Sequence, residues 1–225
     1  MKKKIVCLTL ASIMLMPGLL TGCASTLADT PAKAHAAASA EGKTPKYVLL
    51  FIGDGMSYPQ VQLTNYFKSA NSSPENTEKI TVEGEEKTVL SSQNNLHMMN
   101  FPVAGSAQTY DSTSFAPDSA STATSIATGN KTWSGSINVS EDFTEEYETI
   151  AEKLKAQKDY KIGVISSVNL NHATPAAFYA HHASRNDYYD IGVEMIESGF
   201  HYFAGGAPLD PTGENEDQKD LYDAA

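Results

Sequence analysis

Apolar residues form three short runs and one helical period along the chain. The runs lie at 47–53, 101–110 and 160–168. A short apolar run between turn residues is typical of a strand that is buried on both faces of a parallel sheet. Residues 144–157 instead carry apolar side chains at i, i+3, i+4 and i+7, which predicts an amphipathic helix. Strands that alternate with helices of crossover length predict an α/β fold.

Capping residues predict where two further helices begin. Ser57 and Gln60 have the spacing of a capping box, so a helix should follow Ser57. Asp118 is a good N-cap and Gly129 suits a helix end, which predicts a helix with Ser119 in its first turn. The N–H groups of a first turn lack intrahelical partners and the helix dipole is positive there. An anion such as a phosphoryl group is therefore favoured beside Ser119; a capped helix with a polar face and no chemical role is the alternative.

The segment 172–185 begins as a loop and continues as a predicted helix. Pro175 suits the first turn of this helix, and Arg185 should fall near its end. His181 and His182 would be neighbours on the helix, with side chains pointing about 100° apart. This direction argues against both histidines facing one metal ion.

Residues 68–97 are polar and show no period. They predict a surface excursion, with a small hairpin around Glu83 and Gly84.

The N-terminal residues have the pattern of an export signal. Three lysines precede an apolar stretch at 5–20 that is short and interrupted for a membrane span. The residues that end at Cys23 resemble a bacterial lipobox, which predicts a signal peptide at 1–22 and a lipid on Cys23; an ordinary signal peptide is the alternative. A tether rich in Ala, Ser and Pro then covers 23–45. The chain should therefore be exported and lipid-anchored to a membrane at the bacterial cell envelope, outside the cytoplasm.

Charge narrows the classes of ligand. The formal net charge is −11, which argues against a nucleic-acid-binding surface. An acidic protein that acts on anions needs a locally positive site, supplied by metal ions or by a placed arginine. Asp54 follows the first apolar run, at the carboxyl end of a predicted strand, where open α/β sheets bind their ligands; a turn-forming Asp-Gly pair is the alternative.

Three segments together resemble the alkaline phosphatase family. They are IGDGM at 52–56, PDSASTATSIATG at 117–129 and HATPAAFYAHHASR at 172–185, in the family's order. The resemblance extends from about residue 46 to about residue 207 and covers only the first half of the family's catalytic domain. It implies a three-layer α/β sandwich around a mainly parallel central sheet, of which residues 46–225 are an incomplete, N-terminal part.

The resemblance also implies roles for individual residues. Ser119 matches the serine that attacks phosphorus and becomes a phosphoserine intermediate, and Arg185 matches the arginine that holds two phosphate oxygens. Asp118 matches the acid that helps to orient this arginine. Asp54 matches a carboxylate shared between Zn²⁺ and Mg²⁺, and Thr174 matches a Mg²⁺ ligand.

Two features depart from the family pattern. Some members have aspartate where this chain has His172; because histidine is a poor partner for a hard cation, we expect His172 beside the metal rather than bound to it. The family also implies further carboxylate and histidine ligands after Ala207, and no histidine follows His201. The chain is therefore expected to be a truncated form of a longer enzyme, without a complete two-zinc site, so activity of the fragment by itself does not follow from the resemblance.

The implied activity is metal-dependent hydrolysis of phosphomonoesters, which releases inorganic phosphate; a homodimer is possible for the full-length enzyme. Two alternatives stay open. One is another hydrolase of the same superfamily, such as a phosphodiesterase or sulfatase, although Asp118-Ser119-Ala120 does not resemble their Thr or modified Cys nucleophiles. The other is a non-catalytic surface lipoprotein that binds phosphate or metal.

Overall fold

The computed structural model describes residues 45–71, 77–90 and 96–225. The predicted signal peptide, Cys23 and nearly all of the predicted tether lie outside the described residues. The chain divides into a unit at 1–50 and a second unit at 51–225, and the helices and strands given below belong to the second. Within the described residues, no helix combines the length and apolar character needed to cross a membrane.

Helices and strands are interspersed along the second unit, as in an α/β fold. The helices are α1 (Tyr58–Asn71), α2 (Ser119–Thr128), α3 (Ile150–Lys158), α4 (Ala173–Ala176), α5 (Tyr188–Glu197) and α6 (Leu221–Ala224). The strands are β1 (Thr77–Val82), β2 (Glu85–Leu90), β3 (Gly163–Asn169) and β4 (Tyr202–Gly206), and a 3₁₀ turn covers His97–Asn100. Strands β3 and β4 pair in parallel, whereas β1 and β2 pair antiparallel. The predicted α/β class is correct, and the third apolar run does form a parallel strand.

The hairpin predicted around Glu83 and Gly84 is confirmed. These two residues connect β1 to β2 and both have positive φ, at 54° and 84°. Two-residue hairpin turns favour this conformation because its twist matches that of the flanking strands.

Helix α2 has the predicted limits. Asp118 is its N-cap and accepts a hydrogen bond from the Ser121 N–H at 3.0 Å. Gly129 ends the helix in the left-handed region, at φ 80°, which glycine adopts without a Cβ clash. Ala120 and Ala123 of α2 lie in the apolar core. Small side chains on this face let neighbouring segments approach α2 closely.

The amphipathic helix predicted at 144–157 begins later, at Ile150. Thr149 and Glu152 form a capping box that fixes the start of α3. The preceding residues are held as a loop, because Glu146 pairs with Val139 and the Ser140 hydroxyl accepts backbone N–H groups from this segment. Tertiary hydrogen bonds therefore replace the first helical turn that the apolar period indicated.

Two predicted strands, at 47–53 and 101–110, are wrong. Both segments are irregular, and their apolar side chains are exposed, with Leu49 at 79%, Phe51 at 85% and Val103 at 82%. A strand needs the backbone of a neighbour to complete its hydrogen bonds, and no strand in the described residues pairs with either segment.

The apolar core lies where β3, α2, α4 and α5 meet. The Tyr179 ring contacts the Phe203 ring edge-on at 5.5 Å, and the Tyr179 hydroxyl donates to the Leu170 carbonyl at 2.6 Å. Val164 of β3 and Ile191 of α5 are buried in the same cluster. This core supports the segment after β3 that contains the predicted site residues.

Helix α4 is shorter than predicted and ends at Ala176. The Asn138 amide donates to the carbonyls of Ala177 at 2.8 Å and Ala180 at 2.9 Å. Asn138 is completely buried, so its amide binds these carbonyls in place of backbone donors. Arg185 consequently lies in a loop beyond α4 rather than near a helix end.

Candidate active site

Asp54 lies in a tight turn rather than at the end of a strand. The Met56 N–H donates to the Gly53 carbonyl at 3.0 Å, and Gly55 has a positive φ of 67°. The predicted position after a buried strand is therefore wrong, but the turn still directs the Asp54 carboxylate toward two hydroxyl groups.

Ser119, Asp54 and Thr174 meet at one carboxylate oxygen. The Ser119 hydroxyl donates to Asp54 Oδ2 at 2.9 Å across 65 positions of sequence. The Thr174 hydroxyl donates to the same oxygen at 2.9 Å across 120 positions. Ser119 is the first residue of α2 and Thr174 belongs to α4, so two helix starts and one turn bring these side chains together.

Arg185 is held beside this group through Asp118, the residue before Ser119. Arg185 Nη1 donates to Asp118 Oδ2 at 2.8 Å, and its backbone N–H donates to the Gly135 carbonyl at 2.7 Å. Burial raises the pKa of Asp118, but hydrogen bonds from the Ser121 N–H, Arg185 and the Gly135 N–H outweigh burial and lower it below its usual value. Asp118 is thus an anion that anchors a half-buried guanidinium.

His172 contacts the other side of the guanidinium. Its Nε2 lies 3.4 Å from Arg185 Nη2, and its buried Nδ1 has no hydrogen-bond partner. Burial and the charge of Arg185 lower the pKa of His172, although Asp54 opposes this change. The imidazole is therefore neutral at neutral pH.

The donor set suits a hard cation better than zinc. Asp54 and Thr174 offer two oxygen atoms, the ligand type that Mg²⁺ prefers together with water. In the described part of the chain, no three His, Cys, Asp or Glu side chains are grouped to hold a metal ion. Zinc sites use three or four such ligands, so these residues do not make a zinc site by themselves.

His181 and His182 both contact Glu194 of α5. His181 Nδ1 lies 3.2 Å from Glu194 Oε2, and His182 Nε2 lies 2.6 Å from Glu194 Oε1, although without the alignment of a directed hydrogen bond. His181 also lies 3.6 Å from Glu152 of α3, and His182 lies 3.5 Å from Asp187. The predicted helix does not reach these residues, because α4 ends at Ala176, and each imidazole contacts a different oxygen of Glu194 and a different second carboxylate.

These ion pairs predict a loss of stability at alkaline pH. Burial lowers the pKa of His181, but Glu152 and Glu194 outweigh this effect and raise it from 6.5 to about 10. Because the pKa is raised in the folded state, the contribution of His181 is complete below pH 6.5 and is lost as the pH rises through about 10. Thermal unfolding midpoints measured from pH 6 to pH 10.5 should fall steadily, and less steeply in Glu194→Gln.

Glu197→Gln is the matched control for this prediction, since Glu197 is an exposed carboxylate at the end of the same helix. Equal alkaline losses in the wild type and in Glu194→Gln would contradict the assignment of the pH dependence to this cluster.

Asp111, Ser121 and Gly135 are neighbours of the site to which the sequence motifs assign no role. Asp111 followed by Ser-Thr has the composition of an Asx turn, which is a local signal. The contacts that join these residues to the site are between distant segments, so no local pattern contains them.

Comparisons with known proteins agree on one family. The family model described as alkaline phosphatase matches residues 45–202. Alkaline phosphatase 4 of Drosophila melanogaster is 32% identical over 166 residues, which are 71% of this chain and 25% of that protein. The tissue-nonspecific isozyme of alkaline phosphatase from Gallus gallus is 29% identical over 164 residues, which are 68% of this chain and 29% of that protein.

Solved structures give the same result. A cold-active alkaline phosphatase from the psychrophile Shewanella sp. matches with a TM-score of 0.57 and 25% identity, over 76% of this chain and 37% of that chain. A histidine-to-glutamate variant of the alkaline phosphatase from the bacterium TAB5, with Mg bound, matches with a TM-score of 0.52 and 32% identity, over 59% of this chain and 37% of that chain.

Fold and site together define an α/β protein in which a hydroxyl, a carboxylate and an anchored guanidinium surround the start of one helix. The family match covers more than half of the chain and agrees with this arrangement. The chain belongs to the alkaline phosphatase family. It spans about a quarter to a third of the length of the curated relatives that it matches.

Proposed function

We propose that this chain contributes the nucleophile and the phosphate-binding arginine of a phosphomonoester hydrolase. The observation that carries the proposal is the hydrogen bond from Ser119 Oγ to Asp54 Oδ2, at the start of α2 and one residue from the anchor of Arg185. An anion beside Ser119 would meet the free N–H groups and the positive dipole end of a ten-residue helix. Family membership supports a phosphoryl group as that anion.

The side chains divide the reaction between them. Ser119 Oγ attacks phosphorus in line as the bond from phosphorus to the ester oxygen breaks, so a phosphoserine forms and the alcohol leaves with the proton that the serine loses. Water then cleaves the phosphoserine, which restores the Ser119 hydroxyl and releases inorganic phosphate. The Arg185 guanidinium holds two equatorial oxygens of the transferred group, because its planar fork matches their spacing. Asp118 keeps the guanidinium in place through Nη1, and His172 Nε2 lies 3.4 Å from Nη2, so the remaining N–H groups are left for the phosphate.

Asp54 and Thr174 would hold a Mg²⁺ ion. When bound, this ion supplies positive charge that offsets the charge of the phosphate oxygens. The TAB5 variant with glutamate in place of a histidine was solved with Mg bound, which supports Mg²⁺ as the choice of metal. Family resemblance also supports Zn²⁺ for the whole enzyme, although Asp54 alone cannot form a zinc site.

We further propose export and lipid attachment at Cys23, with the enzyme acting outside the cytoplasm. The basic residues, the apolar stretch and the lipobox-like ending of 1–23 support this location. A curated relative from Bombyx mori is named a membrane-bound alkaline phosphatase. Metabolic labelling of expressed protein with a radioactive fatty acid, compared between wild type and Cys23→Ser, tests this attachment.

The substrate class is tested with three nitrophenyl esters. The full chain is incubated with the phosphate monoester, the phosphate diester and the sulfate, with Mg²⁺, with Zn²⁺ and with both. Where nitrophenol is released, we expect it to come from the monoester alone. Release from the diester or the sulfate would favour another hydrolase of the superfamily. Binding of inorganic phosphate without release from any ester would favour a non-catalytic phosphate-binding protein.

A further inference from the structure

Asp111 is a buried carboxylate in the loop before α2, with 5% of its surface exposed. Its Oδ1 accepts hydrogen bonds from the Thr113 N–H at 2.8 Å, the Thr113 hydroxyl at 3.0 Å and the Ser114 N–H at 2.6 Å. Burial raises its pKa, but hydrogen bonds from Ser134, Thr113 and Ser121 outweigh burial and lower it to about 2. Asp111 is therefore an anion at neutral pH, although it is almost completely removed from water.

The second oxygen of Asp111 reaches the anchor of Arg185 through Ser121. The Ser121 hydroxyl donates to Asp111 Oδ2 at 2.8 Å and lies 2.9 Å from Asp118 Oδ1. Ser121 is completely buried within α2. Because a hydroxyl has one proton, Ser121 can donate to only one of these carboxylates at a time, and its oxygen fixes the distance between them.

Asp111 Oδ2 also accepts a hydrogen bond from the Ser134 hydroxyl. The next residue, Gly135, has a positive φ of 88°, a conformation that favours glycine. The Gly135 carbonyl accepts the backbone N–H of Arg185 at 2.7 Å. Asp111 thus touches a second segment, the one that holds the backbone of Arg185.

We propose that Asp111 is a positioning residue for Arg185. Through the Ser121 hydroxyl it acts on Asp118, which holds the guanidinium. Through the Ser134 hydroxyl it acts on the loop whose Gly135 carbonyl holds the Arg185 backbone. The catalytic value of this arrangement rests on the proposed phosphatase function. A guanidinium binds two phosphate oxygens together only when its plane is fixed, so a network that fixes the plane strengthens binding.

Nitrogen NMR can observe the orientation directly. Arg185 is the only arginine in the sequence, so the full chain labelled with ¹⁵N-arginine contains a single labelled guanidinium. A guanidinium held on one face gives separate Nη signals because its rotation is slow, whereas a released guanidinium gives one averaged signal. This measurement needs neither substrate nor catalytic activity.

The variants are Asp111→Ala, Asp111→Asn and the matched control Asp142→Ala. Asp142 also closes a loop, by accepting hydrogen bonds from Ser140 and Thr144, and its pKa is likewise lowered to about 2. Asp142 is exposed and belongs to a loop other than the one that contains Asp111. Asparagine has the shape of aspartate, keeps an acceptor for the Thr113 and Ser114 N–H groups and can donate to the serine oxygens.

We expect separate Nη signals in the wild type, Asp142→Ala and Asp111→Asn, and one averaged signal in Asp111→Ala. Inorganic phosphate should shift the wild-type signals and should bind Asp111→Ala about tenfold more weakly, the effect of losing support for one charged hydrogen bond. Separate Nη signals in a folded Asp111→Ala protein of lower thermal stability would overturn the proposal, because Asp111 would then be only structural.

Ser121→Ala gives a second test if Asp111→Ala does not fold. It removes only the hydroxyl between the two carboxylates, so an averaged signal supports the proposal and separate signals overturn it. Failure of the proposed function would give a different result. If the Nη signals depend on Asp111 but do not shift when inorganic phosphate is added, Asp111 positions Arg185 but Arg185 does not bind phosphate.

Discussion

Ser119→Ala is expected to abolish phosphate incorporation into the chain and to lower turnover of a phosphomonoester by about 10⁴-fold or more, as loss of a nucleophile does in other hydrolases. The reason is geometric. Ser119 Oγ is the hydroxyl that contacts Asp54 Oδ2 at the first residue of α2, and alanine leaves no oxygen there to attack phosphorus. The full chain is incubated with substrate, Mg²⁺ and Zn²⁺ and is then quenched in acid. Mass spectrometry detects the phosphoserine as a mass increase on the peptide that contains residue 119.

Ser125→Ala is the matched control because Ser125 belongs to the same helix. Its hydroxyl donates only to the carbonyl of Ser121, one turn earlier, at 3.1 Å. The control should keep the wild-type level of phosphoserine. Phosphate incorporation in Ser119→Ala, or incorporation at Ser119 that does not respond to the substrate, would refute the assignment of Ser119 as the nucleophile.

Arg185→Ala is expected to weaken inorganic phosphate binding and monoester turnover by about 100-fold, the size of effect that follows removal of a placed donor to a transition-state oxygen. The guanidinium is half-buried and anchored to Asp118 at 2.8 Å, so little reorganisation is needed when phosphate binds. Titration calorimetry with inorganic phosphate measures binding, and nitrophenyl phosphate hydrolysis measures turnover.

Arg185→Lys separates charge from geometry. Lysine keeps the positive charge but cannot present two parallel N–H groups, so it should recover only part of the lost affinity. Lys161→Ala serves as a control for loss of one positive charge, since Lys161 is exposed and lies 3.7 Å from Asp159 on the surface. Full recovery of phosphate binding in Arg185→Lys would contradict the bidentate role.

The local patterns of this sequence predicted α2 well. Its N-cap, its C-terminal glycine and the position of Ser119 at its start are all as predicted. Capping acts between residues that are three or four positions apart, so the neighbouring sequence contains nearly all of the information that sets these limits. The hairpin turn at Glu83 and Gly84 was predictable for the same reason, because a two-residue turn depends on the backbone conformations of two adjacent residues, both of which have positive φ.

Strand predictions depended on contacts that no local pattern contains. The apolar runs at 47–53 and 160–168 look alike in sequence, but only the second acquires a parallel partner, β4, and becomes a strand. Apolar character makes burial favourable, whereas strand formation also requires a second backbone at hydrogen-bonding distance. The sequence of the run does not specify that partner.

By itself, then, the sequence determined the α/β class and the limits of α2. It also determined which functional groups the candidate site contains, through the motifs that include Asp54, Ser119 and Arg185. Tertiary structure decided how those groups meet. It ended α4 early because the buried Asn138 amide binds the carbonyls that follow, and it placed Arg185 in a loop against Asp118. Capping and turn preferences are local and can be found in a few residues, whereas hydrogen bonds between distant segments exist only after the core has brought those segments together.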